Sequence, residues 1–124
     1  MAGKRILLAD DEEDIKTVVT MFLQSEGFEV VTAFDGLDAL EKAQSEKPDL
    51  ILLDLMMPVL DGYEVCKRLR ANEQTANIPV LILTAATQKE SRARAFRVGA
   101  KDYLVKPFEP ERLLEKIQKI LTGE

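Results

Sequence analysis

Five polar side chains stand where long apolar runs end, and their types suit the handling of a phosphoryl group. Asp10 and Asp11 follow Ile6-Leu7-Leu8-Ala9, Asp54 closes Leu50-Ile51-Leu52-Leu53, Thr84 closes Val80-Leu81-Ile82-Leu83, and Lys106 follows Tyr103-Leu104-Val105. Carboxylates about 4 Å apart repel by roughly 4 kcal/mol per pair at an effective dielectric of about 20, so three acids at one mouth need compensating charge. A divalent cation and a lysine would supply it. Oxygen ligands completed by water are what Mg²⁺ or Mn²⁺ prefers, and a metal beside a carboxylate can neutralise charge on an incoming phosphoryl group. Asp54 is the expected nucleophile because it lies centrally, and carboxylates attack phosphorus to give an acyl phosphate. Asp10 and Asp11, adjacent in sequence, suit a metal held directly or through water. Thr84 and Lys106 would each grip one phosphoryl oxygen.

Such a constellation needs a scaffold that delivers all five groups to one edge. The chain alternates short apolar runs with amphipathic stretches five times, a βα pattern without repeat, low-complexity tract or linker. Strands are expected near Arg5 to Ala9, Glu29 to Ala33, Leu50 to Asp54, Val80 to Thr84 and Asp102 to Val105. Runs that are apolar throughout belong to a parallel sheet covered on both faces. Helices are expected from about Asp14 to Ser25, Leu37 to Gln44, Gly62 to Asn72, Lys89 to Val98 and around Leu113 to Leu121. The first carries Ile15, Val18, Val19, Phe22 and Leu23 as its inward stripe, and Gly27 stops it. The third turns Val65, Cys66 and Leu69 inward, and the last has Leu113, Leu114, Ile117, Ile120 and Leu121. The fourth offers only Ala93, Ala95, Phe96 and Val98 against Arg92, Arg94 and Arg97, a thin apolar face that predicts a loosely held helix. Right-handed crossovers favour an α/β fold: a five-stranded doubly wound parallel sheet, order 2-1-3-4-5, with five helices. In that order strands 1 and 3 are neighbours, and their C-terminal ends flank the switch point where the acids sit.

Composition narrows the chemistry. The chain has 124 residues, 46% of them hydrophobic and 31% charged, which suits a single domain over 1–124 with a core from about 4 to 121. It contains no histidine and one cysteine, Cys66, so Ser-His and Cys-His nucleophile pairs, His-rich zinc sites and an internal disulfide are excluded. A net charge of −5 argues against direct nucleic acid binding. No apolar stretch approaches the roughly 20 residues of a membrane helix and no signal peptide is evident, so a cytoplasmic protein is expected. There is no G-x-x-x-x-G-K-[ST] loop, so a phosphoryl group must come from an outside donor rather than from bound ATP.

The motifs Leu8-Ala9-Asp10-Asp11-Glu12, Asp54-Leu55-Met56-Met57-Pro58 with Asp61-Gly62, Leu83-Thr84-Ala85 and Asp102-Tyr103-Leu104-Val105-Lys106-Pro107-Phe108 resemble those of response-regulator receiver domains of two-component signalling, from Lys4 to Leu121. The resemblance implies a flavodoxin-like fold. It also implies that Asp54 is the phosphoacceptor, that Asp10, Asp11, Asp54 and the backbone carbonyl of Met56 organise Mg²⁺, and that Thr84 and Lys106 bind the phosphoryl group. The Lys106-Pro107 bond is expected to be cis. Thr84 and Tyr103 are implied as switch residues that re-aim the surface of the fourth helix, fifth strand and fifth helix. Lys89, Arg92, Arg94, Arg97 and Lys101 give that surface a basic tint, as a partner or dimer face or a solvated one. Implied partners are a sensor histidine kinase or histidine phosphotransfer protein, a downstream target or effector domain, and a phosphorylation-dependent homodimer to which Asp102 and Lys116 could contribute. The resemblance also implies that Met56 and Ala86 stand at positions that tune phosphoryl lifetime, and neither side chain can position an attacking water.

Plainer roles remain open for single residues. Asp10 or Asp11 could cap the first helix, Lys106 could be an ordinary solvated lysine, Thr84 a strand-favouring residue, Tyr103 a half-buried aromatic, and Cys66 simply core. Two other Mg²⁺ or topology matches fit less well. Aspartate-nucleophile phosphatases place a second acid where Met56 stands. A flavodoxin-type electron carrier needs a phosphate loop where Asp10-Asp11-Glu12-Glu13-Asp14 runs. A phosphorylation-independent scaffold would not require the complete set of groups. The chain is expected to receive a group rather than to turn over a separate substrate.

Overall fold

Each apolar run forms a strand bounded where its polar neighbours begin: β1 Arg5–Ala9, β2 Glu29–Ala33, β3 Leu50–Asp54, β4 Val80–Thr84 and β5 Asp102–Val105. The structure, a computed structural model, describes residues 3–85 and 89–123, with no side-chain description of residues 89 and 90. Ala86 and the side chain of Lys89 therefore lie outside the described residues. The strands form one sheet in the order β2-β1-β3-β4-β5, and all four pairings are parallel. Register is continuous across the centre, with Ala9 opposite Leu53 and Asp54 opposite Leu83, so the C-terminal ends come level. The helices are α1 Glu13–Ser25, α2 Gly36–Glu46, α3 Gly62–Ala71, α4 Lys89–Arg97 and α5 Pro110–Thr122. Among the described residues, none of them is long and apolar enough to cross a membrane.

Period-2 alternation inside continuously apolar strands divides the core into two layers. Ile6, Leu8, Leu50, Leu52, Leu81, Leu83 and Leu104 meet Val19 and Leu23 of α1 and Leu113 and Ile117 of α5. Leu7, Ala9, Ile51, Leu53, Val80, Ile82 and Tyr103 meet Ala39 and Ala43 of α2, Val65, Cys66 and Leu69 of α3 and Ala95 of α4. Each fully buried leucine or isoleucine contributes about 1.5–3 kcal/mol relative to exposure, so the central strands are the strongly held part.

Three inward assignments made from helical spacing do not hold. Val18 is 60% exposed, because α1 buries only the Val19–Leu23 line against the sheet, while Ile15 and Phe22 flank it half-buried. Among the described residues of α4 only Ala95 is fully buried, Ala93 is exposed and Phe96 is 42% exposed. Polar contacts from one face of α3 instead hold α4. Tyr63 Oη donates to the Ser91 carbonyl at 3.2 Å and its ring lies 4.0 Å from the Arg94 guanidinium. Cys66 Sγ donates to the Val98 carbonyl at 3.2 Å, and Arg70 Nε to the Gly99 carbonyl at 3.3 Å. The carbonyls that end a helix have no intrahelical partner, and a cation nearby is favoured by the helix dipole.

Candidate functional site

The C-terminal edge of the sheet gathers side chains from β1, β3, β4 and the segment after β5. Asp10 leaves β1 fully buried, its amide still donating to the Ala33 carbonyl at 3.3 Å. Its Oδ1 accepts from the Glu12 amide at 2.8 Å, which fixes the carboxylate across the start of α1. Neither Asp10 nor Asp11 caps that helix: the N-cap is Glu12, without a side-chain capping bond. Asp54, 2% exposed, ends β3, and its Oδ1 accepts from the Met56 amide at 3.1 Å, so the Met56 peptide is drawn to the mouth. Thr84 is fully buried at the end of β4. Tyr103 is 7% exposed, packed into the core layer on the α3 side, so it is buried rather than half-buried.

Lys106 joins these groups. It follows β5 next to a cis peptide bond to Pro107, and its amide donates to the Thr84 carbonyl at 2.8 Å. Its Nζ lies 2.8 Å from Asp10 Oδ2, 3.3 Å from Glu12 Oε1 and 3.5 Å from Asp54 Oδ2. It is therefore no ordinary solvated lysine. Burial disfavours its ammonium, but hydrogen bonding to Asp10 and the charges of Asp54 and Asp10 outweigh this and raise its pKa above the usual lysine value. Asp54 moves up too, from 3.8 to about 6. Its burial is the dominant cause, outweighing the Met56 amide and the Lys106 ammonium, which pull the other way, while the Asp10 charge adds to the rise.

Asp10, Glu12 and Asp54 each offer a carboxylate oxygen, all within 4.8 Å of one another. Three carboxylates against one ammonium leave the mouth short of positive charge, and the donors are all hard oxygens. That combination fits a small divalent cation. Asp11 is exposed and its carboxylate is not one of these three. Glu12 supplies the third oxygen of the cluster; beyond its motif, its only sequence signal is the spacing of two from Asp10.

Beside the mouth, an apolar groove of about 490 Å³ runs between α1 and α5, lined by Ile15, Val18, Phe22, Phe108 and Leu113 and reaching Glu12 and Lys106. On the other flank Arg92, Arg94, Arg97 and Lys101 are exposed, whereas Asp102 and Lys116 pair with each other within the chain at 3.0 Å.

Residues 6–118 match the family described as the response regulator receiver domain. The chain is 47% identical over 119 residues to the alkaline phosphatase synthesis transcriptional regulatory protein PhoP of Bacillus subtilis, covering 96% of this chain and 49% of that protein. It is 45% identical over 117 residues to the DNA-binding dual master transcriptional regulator RpaA of Synechocystis, covering 94% and 48%. The chain thus spans about half the length of these curated relatives. Among solved structures, the chemotaxis protein CheY4 of Vibrio cholerae superposes with a TM-score of 0.91 at 42% identity, over 96% of this chain and 99% of that one. The receiver domain of the Francisella response regulator 1452 superposes with a TM-score of 0.91 at 33% identity, over 98% of each chain. Family match, fold and the acid-and-lysine edge agree, and the chain belongs to the response regulator receiver domains of two-component signalling.

Proposed function

We propose that the protein takes a phosphoryl group onto Asp54 from a phosphohistidine of a sensor kinase or histidine phosphotransfer protein. One observation carries the reading: a carboxylate 2% exposed at the end of the central strand faces a lysine ammonium 3.5 Å away that is itself tied to Asp10 at 2.8 Å. An Asp54 oxygen attacks phosphorus, the P–O bond forms as the P–N bond breaks, and the bonding pair returns to the imidazole nitrogen of the donor. The Met56 amide holds the other Asp54 oxygen and so orients the attacking one. Lys106 and Thr84 bind phosphoryl oxygens as they arrive. Asp10, Asp54, the Met56 carbonyl and, through water, Asp11 would hold Mg²⁺, with Mn²⁺ an acceptable substitute. When bound, the ion neutralises charge on the phosphoryl oxygens and the acids around them.

The donor is expected to seat an apolar surface in the α1–α5 groove, which leads to Lys106. Output is assigned to the α4–β5–α5 face, with Thr84 and Tyr103 as the switch, because α4 buries little apolar surface and both conformations pre-exist for phosphorylation to bias. The receiving element is a downstream protein or effector domain, or a second phosphorylated copy, rather than DNA touched by this net-negative chain. The setting is cytoplasmic, and no turnover of a separate substrate is expected.

Intact-mass measurement after incubation with acetyl phosphate tests the acceptor. A gain of one phosphoryl group that needs Mg²⁺ and disappears in Asp54→Asn is expected. A gain that persists in Asp54→Asn would move the acceptor elsewhere, and no gain from either acetyl phosphate or a phosphohistidine donor would refute the reading.

A further inference from the structure

We propose that Glu12 is a specificity-determining residue, an anionic filter at the mouth of the site that slows small, highly charged phosphoryl donors more than less charged ones. The proposal rests on Asp54 being the acceptor. Of the three acids whose oxygens approach within 4.8 Å, Asp10 and Asp54 have side chains 0% and 4% exposed, whereas that of Glu12 is 57% exposed. Glu12 is therefore the carboxylate on the side from which a donor arrives. Its backbone is pinned by the 2.8 Å hydrogen bond to Asp10, so the side chain has a fixed base. Its Oε1 lies 3.3 Å from Lys106 Nζ, the group that must meet the incoming phosphoryl oxygens.

Two effects follow from this placement, and they separate experimentally. Glu12 shares the Lys106 ammonium with Asp10 and Asp54, which changes how freely Lys106 meets any phosphoryl group, whatever donor carries it. Glu12 also repels the whole donor, and Coulomb repulsion at a given distance grows in proportion to the donor's charge. The first effect multiplies all rates alike; only the second changes the ratio between donors of different charge. Salt screens the second effect because Glu12 is exposed. A protein donor that brings a lysine or arginine to Glu12 is exempt from the filter.

The test uses the full chain at saturating Mg²⁺, with saturation checked for each variant by thermal shift. Initial rates of phosphoryl uptake are measured for dianionic acetyl phosphate and for the less anionic phosphoramidate, in the parent, Glu12→Gln and Glu12→Asp. Glu12→Gln is expected to raise the acetyl phosphate to phosphoramidate rate ratio by about threefold or more at low salt, with the difference fading near 1 M salt. Glu12→Asp, which keeps the charge, should retain a ratio close to that of the parent. An unchanged ratio in Glu12→Gln overturns the filter, even if both rates shift together, and leaves Glu12 as a tether for Lys106. A parent that accepts from neither donor instead overturns the acceptor reading, and this proposal with it.

Discussion

Arg70 fills the space that a side chain on Gly99 would need. A Cβ at position 99 would lie 2.9 Å from both Cγ and Nε of Arg70, and Gly99 sits at φ +102°, a conformation L side chains rarely adopt. The same guanidinium donates to the carbonyls of Gly99 at 3.3 Å, Ala76 at 2.6 Å and Ile78 at 2.7 Å. One cation from α3 thereby closes the end of α4 and fastens the connection into β4.

Removal of that cation should be costly. Arg70→Ala is expected to lower stability by about 2–3 kcal/mol, since hydrogen bonds to charged groups are strong and several carbonyls lose their donor together. Arg70→Lys should recover less than half, because an ammonium cannot match the fork of a guanidinium. Urea unfolding measures both, and hydrogen exchange should show α4 amides opening first. Arg70→Ala within about 0.5 kcal/mol of the parent would refute the account.

The Asp54 pKa sets a pH dependence. Between pH 3.8 and about 6 the native carboxyl keeps a proton that the unfolded chain has released, so cation-free stability falls as pH rises through that window. Asp54→Asn removes the cost of burying the charge and should stabilise the protein at pH 7 by about 1–3 kcal/mol in chelator, a gain that vanishes below about pH 4. Lys106 acts at the other end: while Asp10 and Asp54 are ionised, its raised pKa stabilises the fold below the usual lysine value, and the contribution is lost as pH climbs from that value through the raised one. Denaturation in EDTA across this range checks the sign.

Mg²⁺ should stabilise the fold by mass action, by about 1.4 kcal/mol at tenfold excess over its dissociation constant. The increment should be larger above pH 6 than at pH 5, because the ion relieves the charge that Asp54 carries only when ionised. Asp10→Asn is expected to abolish most of it. Asp11→Asn should cost less, since that carboxylate stands outside the three-acid cluster. Thermal melts with titrated Mg²⁺ give the ranking, and equal losses in the two variants would contradict it.

Val59 is strained. It sits at φ 73°, and the Leu60 amide donates back to the Pro58 carbonyl at 2.9 Å across it, a tight three-residue turn on a β-branched residue. Leu60 is thereby laid against Gly36, where a Cβ would come within 2.5 Å of the Leu60 carbonyl oxygen. Val59→Gly should raise stability by about 0.5–1 kcal/mol, the relief of left-handed strain exceeding the added freedom of the unfolded chain. Gly36→Ala should lower it by about 1–3 kcal/mol. A destabilised Val59→Gly would show that the turn carries no strain.

The exposed Met56 side chain cannot hold a water against an acyl phosphate on Asp54. Met56→Asn is expected to speed hydrolysis by roughly two- to tenfold, below the 10²–10⁴ of a general base. Loss of the phosphoryl mass with time, in Mg²⁺, measures it; equal or slower decay would be decisive against the role.

All five strands were legible to the residue, because runs such as Leu50-Ile51-Leu52-Leu53 are too apolar to lie anywhere but a covered sheet and stop at an ionisable side chain. Right-handed crossovers favoured a doubly wound sheet and 2-1-3-4-5 is its common five-stranded order, which the structure has, and with it Asp10, Asp54, Thr84 and Lys106 meet at one edge. Helix faces were less readable. Val18 and Phe96 belong to apolar spacings, yet spacing marks a face without saying how far a neighbouring element covers it, and α5 leaves a groove over Val18.

The sequence by itself determined the elements, their order and the acids and lysine at the strand ends, since local apolar patterning and chain handedness are enough to place them. Only the tertiary structure showed that Glu12 reaches Lys106 as a third acid at the mouth while the Asp11 carboxylate lies outside that cluster, because the path of the backbone out of β1, fixed here by the Asp10–Glu12 hydrogen bond, sets where each neighbouring acid stands. It alone also gave Arg70 a task. A helical arginine reads as a solvated charge until distant carbonyls, from Ala76 to Gly99, are folded around it.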